Sequence, residues 1–150
     1  MYKRQGCIVN DIVDEKIDKK VDFRIIVSSI QILPIGHGWE SWNNLPYERK
    51  KLIKMIDKAS LNETLVISGD RHRGGIYKVK TGSGKVISEV TSSSLNASFP
   101  NEEEYGPLRV GKTFIEENYG VIIVDSNDND MFVGIKNING EIVRNVTISN

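Results

Sequence analysis

The sequence predicts a mixed α/β fold, and three features carry that expectation. Two short runs rich in β-branched residues flank a stretch with helical periodicity, the chain after residue 75 switches to turn-separated strands, and 39% of the residues are apolar, an ordinary share for a protein that buries a core. At 150 residues one domain is the expectation. Lys+Arg and Asp+Glu stand at 20 each, so the chain lacks the basic field on which non-specific nucleic-acid binding relies, and nucleic acid is not favoured as a partner. The single cysteine, Cys7, excludes an internal disulfide framework and a cysteine-cluster zinc site.

The first element is Phe23-Arg24-Ile25-Ile26-Val27-Ser28-Ser29, expected as a strand buried on both faces. Before it, residues 8–20 alternate apolar and charged positions without clear signals, and are read as the end of a helix leading into that strand. A loop with Pro34, Gly36, Gly38, Trp39 and Trp42 follows. Asn44-Leu45-Pro46 then offers a cap and a first-turn proline, and Leu45, Leu52, Ile53, Ile56 and Ala59 recur at helical spacing over about three to four turns. The opposite face carries Glu48, Arg49, Lys50, Lys51, Lys54 and Lys58 and reads as a solvated surface.

Thr64-Leu65-Val66-Ile67-Ser68 is the second buried-type strand. A strand, helix, strand order implies a parallel crossover, which gathers functional groups at the carboxyl ends of the strands. Ser28 and Ser29 would then share an edge with Asp70 and His72. Residues 76–80 and 86–90 form a hairpin around Thr81-Gly82-Ser83-Gly84, and residues 91–98 and 101–107 read as loop. Strands at 119–125, 131–136 and 141–148 close the chain as a meander, with Asn139-Gly140 as a two-residue turn.

Chemistry is expected where the second strand ends, at Gly69-Asp70-Arg71-His72. A carboxylate suits hard cations such as calcium or magnesium, an imidazole suits iron or zinc, and the two lie two residues apart. By spacing alone an Asp-x-His tripeptide is a weak signal, and a hydrogen-bonded structural histidine is the alternative. Gly69, Gly74 and Gly75 would allow unusual backbone around it.

Several blocks in order add to this. Val27-Ser28-Ser29-Ile30-Gln31, Gly38-Trp39-Glu40-Ser41-Trp42-Asn43-Asn44-Leu45-Pro46 with Glu48-Arg49, Ile67-Ser68-Gly69-Asp70-Arg71-His72, Glu89-Val90-Thr91-Ser92-Ser93, and Arg109-Val110-Gly111 with Asn118-Tyr119-Gly120 together resemble the PhoD-like alkaline phosphatase family, within the calcineurin-type metallophosphoesterases. The resemblance runs from about residue 21 to the end. It implies the C-terminal half of a four-layer α/β/β/α sandwich with a metal cluster at one edge, iron with calcium by family. It further implies metal ligation by Asp70 and His72. Arg71 could pair with a phosphate oxygen, a surface ion pair being the alternative, and His37 could approach the substrate or be an ordinary loop histidine. Thr91, Ser92 and Ser93 could line the pocket or satisfy local backbone groups, and Trp39 and Trp42 read as core anchors for their loop. Asn43 stands where the family often has glycine.

The larger departure is the missing N-terminal half of the same domain, which supplies the first metal ligands in such enzymes. Met1-Tyr2-Lys3-Arg4-Gln5 resembles a translated sequencing adaptor, so residues 1–5 are set aside as an artefact and 6–150 are expected to be a partial domain. No apolar run approaches the roughly 20 residues that span a bilayer, and no export signal is visible at the start given. Secretion or a periplasmic location stays compatible with the full-length parent. The expected activity is metal-dependent hydrolysis of a phosphoester, small molecule or polymer, including phosphodiesters such as phospholipid or teichoic-acid-like chains, with the 150-residue piece inactive alone. A non-catalytic β-rich binding module is the competing expectation. Three glycosylation-type triplets, at Asn62, Asn96 and Asn145, are too cheap a pattern to weigh.

Overall fold

The computed structural model describes residues 21–99, 106–125, 127 and 129–149. The helix end expected over 8–20, the adaptor-like residues 1–5 and the loop at 101–104 lie outside the described residues.

Seven strands and one α-helix are arranged in two sheets among the described residues. Strand β1 (Ile25–Ser28) leads through a 3-10 turn (Trp42–Asn44) into helix α1 (Pro46–Lys58), and then come β2 (Glu63–Ser68), β3 (Gly75–Lys80), β4 (Val86–Thr91), β5 (Asn118–Asp125), β6 (Asp130–Asn137) and β7 (Ile142–Ser149). The first sheet has the order β1-β2-β4-β3, with β1, β2 and β4 parallel and β3 antiparallel to β4. The second is the antiparallel meander β5-β6-β7.

Period-two alternation along the first sheet sends neighbouring residues into two separate cores. Val66, Tyr77 and Ile87 face α1 and pack with Leu52 and Ile56 of the helix and with Ile32 and Leu33 of the loop before it. Leu65, Ile76 and Val90 face the other way, onto Met131, Val133, Ile135 and Ile148 of the second sheet. The described layers are therefore helix, sheet, sheet.

Helix α1 forms where the apolar spacing placed it, with Pro46 in its first turn. Asn44 does not cap it: Leu45 holds the cap position, makes no side-chain cap bond and is exposed rather than part of the apolar face. The capping side chain belongs one turn earlier, where Ser41 Oγ accepts from Asn43 N–H at 3.3 Å to open the 3-10 turn.

Two other local differences have clear causes. Four residues, 138–141, rather than two separate β6 from β7, because Asn137 Oδ1 accepts from both Asn139 and Glu141 N–H at 3.0 Å and Gly140 takes a φ of 83°. Strand β1 is not buried on both faces. Ile25 and Val27 are exposed because β1 is an edge strand and the second sheet does not extend over it.

Candidate functional site

The parallel strands β1, β2 and β4 all end on one side, and a cavity of about 730 Å³ opens there between the two sheets. Ser28 and Ser29 from β1, Asp70 and His72 after β2, and Ser92 after β4 line it together. This is the edge that the crossover pattern anticipated. The far wall comes from the head of β5, at Asn118 and Tyr119.

Asp70 and His72 leave β2 through a turn in which both hold left-handed backbone, φ 59° and 56°. Asp70 is exposed. His72 is held on four sides: its N–H donates to Ser93 Oγ at 3.1 Å, its carbonyl accepts from Phe99 N–H at 3.1 Å, its ring stacks on Phe99 at 4.1 Å, and Nδ1 meets the carbonyl of Ala97. A carbonyl can only accept, so Nδ1 is the donor of this contact, and in the neutral ring Nε2 is the nitrogen with the lone pair. Metal-ligating imidazoles are oriented in just this way, one ring nitrogen donating to a backbone carbonyl and the other left for the ion.

The other expected site residues fall elsewhere. Thr91 does not line the pocket, because its hydroxyl is engaged below it, accepting from Gln31 Nε2 at 2.8 Å and sharing a hydrogen bond with Ser68 Oγ at 2.9 Å. Arg71 is buried rather than on the surface, with its guanidinium 5.2 Å from the centre of the Trp39 ring. Burial, and then Arg73 beside it, lowers its pKa from the usual value. His37 accepts from Trp39 N–H at Nδ1, 3.0 Å away, and its pKa is lowered first by burial and then by Arg71 and Arg73. Neither Arg71 nor His37 is among the pocket-lining residues. Trp42 does anchor its loop, packing on the helix-side core and donating to Ser28 Oγ at 3.2 Å, whereas Trp39 is half exposed and serves Arg71 instead.

Two residues matter here that the sequence did not single out as site components. Glu89 is fully buried, and its carboxylate accepts from Ile32 N–H (2.9 Å), Leu33 N–H (2.5 Å) and Ser68 Oγ (2.6 Å), tying the loop before α1 to the end of β2. Arg49 grips the same loop from the helix, donating to the carbonyls of Ile32 and Leu33 at 2.7 and 2.8 Å. Asn118 is the other. Each opens one of the blocks that carry the resemblance, and a lone acid inside the β-branched run 86–90 is a further sign of the first, but neither block assigns its first residue a role at the site.

Among the described residues no group of three or more His, Cys, Asp or Glu side chains is gathered tightly enough to hold a metal ion. Asp70 and His72 bring two donor types to the pocket, one hard oxygen and one imidazole nitrogen, fewer than a cation site needs.

A layered α/β protein with its polar groups collected at the carboxyl ends of parallel strands is a strand-end ligand-binding fold. The model of the PhoD-like phosphatase family matches residues 9–146, and the chain belongs to that family. A solved structure of PhoD shares the fold, with a TM-score of 0.70 over 99% of this chain at 14% identity. The chain spans 32% of that structure's length. No curated protein matches the chain. No helix among the described residues is long and apolar enough to cross a membrane.

Proposed function

We propose that this chain is the part of a PhoD-like phosphatase that brings Asp70 and His72 to a cation-assisted phosphoester hydrolysis site. The observation that supports it most is the orientation of His72, whose Nδ1 is committed to the Ala97 carbonyl while the residue lines the pocket beside Asp70. Bound cations, calcium with iron in this proposal, would supply Lewis acidity toward the phosphoryl and leaving oxygens. Asp70 would give a hard carboxylate ligand and His72 its Nε2. Ser92, on the same pocket wall, would border the substrate, its hydroxyl hydrogen being held by Asn118 Oδ1. Arg71, by its charge, and His37, whose pKa Arg71 helps to lower, would act without touching the substrate.

The rest of the site and the fourth layer of the α/β/β/α sandwich would come from the part of the PhoD-like domain that has no counterpart here, over two thirds of the matched structure. The exposed faces of β1 and β5 flank the open side of the pocket and are where that part would seat. With two ligands the isolated chain would bind cations weakly and turn over nothing, and the parent would hydrolyse phosphomonoesters or phosphodiesters, polymers included.

Calcium and ferric titrations of the chain, with p-nitrophenyl phosphate and bis-p-nitrophenyl phosphate as substrates, test this. Weak binding abolished by Asp70→Ala or His72→Ala, without turnover, is the expected result. Tight stoichiometric binding with turnover would overturn the proposed inactivity of the piece. Indifference of His72 to every cation would instead favour a β-rich binding module.

A further inference from the structure

We propose that Asn118, at the head of β5, is a positioning residue for His72, acting through the segment 92–99. This deepens the ligand role proposed for His72 and rests on it only for its catalytic meaning.

Asn118 is almost completely buried, and its amide spends its whole hydrogen-bonding capacity on this one region. Oδ1 accepts from Ser93 N–H at 3.0 Å and Ser92 Oγ at 3.2 Å, while Nδ2 donates to the carbonyls of Ser93 and Glu116, both at 2.8 Å. Its backbone N–H donates to the carbonyl of Ser94 at 2.9 Å. Three consecutive serines are therefore pinned by a single residue of the second sheet.

That pinned segment holds His72. Ser93 Oγ takes the His72 N–H, Ala97 meets the ring, and Phe99 both donates to the His72 carbonyl and stacks on the imidazole. The far end of the segment is tied beside Asn118 as well, by Ser98 Oγ donating to Glu117 Oε1 at 3.0 Å. His72 needs such support because its left-handed backbone is unfavourable for a residue with a side chain. The clamp needs an acceptor and two donors on one short side chain, which an asparagine amide supplies. Leucine would strand the Ser93 N–H and C=O, and aspartate would set an acceptor against two carbonyls.

The test uses the 150-residue chain, Asn118→Ala, Ser93→Ala, their double variant, and Asn145→Ala on exposed β7 as control. Amide hydrogen exchange and the ring ¹⁵N shifts of His72 are measured in each. Asn118→Ala is expected to speed exchange at His72 about tenfold, the worth of one hydrogen bond, and to erase the Nδ1–H tautomer preference, with a smaller change at the β2 amides. Ser93→Ala is expected to act on the His72 amide alike, and the double variant to add little further. Unchanged exchange and ring shifts at His72, or a uniform loss across β2 and His72, would overturn the inference. Should Asn118→Ala not fold, Asn118→Asp decides by the same criterion, since it removes both donors to the Ser93 and Glu116 carbonyls and leaves Ser93 Oγ in place to accept from His72. A zinc titration read at the His72 ring separates the two claims. Silence in the parent chain removes the ligand role while the exchange data still judge the clamp, and a response weakened about tenfold in Asn118→Ala supports both.

Discussion

Asp70 and His72 both take positive φ within three residues, at a cost on the order of 1 kcal/mol or more each, and they do so at the mouth of the pocket. Glycine would relieve that strain but carries neither oxygen nor imidazole. Glu89 is the reverse case, an unstrained residue in an unfavourable medium. Burial pushes its carboxyl above the usual range, against the opposing pull of its hydrogen bonds to Ser68, Leu33 and Ile32. A raised acid is protonated more readily in the folded chain than in the unfolded one. Its contribution to stability is therefore fully present below the unfolded value near 4.5 and lost as pH rises through the raised one. Urea midpoints taken across that window should show this downward slope, and Glu89→Gln should flatten it. Glu89→Ala strands three donors and should cost upwards of about 3 kcal/mol. The residue types at the site were legible only in part. Asp70 and His72 announce themselves by spacing and by following a strand, but apart from Glu116 beside Asn118 the partners of Glu89 and Asn118 lie 21 to 57 residues away, and no local pattern encodes those.

At the scale of elements, the strands and helix were readable because their apolar periods are clean, and their ends shifted by only one or two residues. What periodicity could not show is which strand lies at an edge. The run at 23–29 looks doubly buried, yet Val27 is 75% exposed, and in β5 Ile123 and Val124 are 56% and 54% exposed. Apolar edge strands are templates for pairing with other chains. The isolated chain should therefore self-associate as concentration rises. Val27→Lys combined with Ile123→Lys should suppress this, as read by light scattering, while leaving the melting temperature nearly unchanged, since neither side chain is in a core. A monomeric parent chain at high concentration would contradict the expectation. The same exposure accounts for an apparent excess of buried-type sequence over buried surface.

For the molecule as a whole, three of the four strands of the first sheet run parallel, and their pairings close long stretches of chain: Ile25 meets Leu65, and Leu65 meets Ser88. The hairpin β3–β4 and the meander β5–β7 need only short turns. Loop-closure entropy must be met before distant pairings reward it, so the local hairpins should assemble early and β1 should dock last. In stopped-flow chevrons Ile26→Ala, which empties a β1 position in the helix-side core, should accelerate unfolding and leave the refolding arm almost unmoved. Late docking has a further consequence for the pocket. Ser28 and Ser29 form its β1 rim, so the rim would be the last part of the cavity to assemble and the first to fray, and ligand capture would select molecules in which that final strand is home.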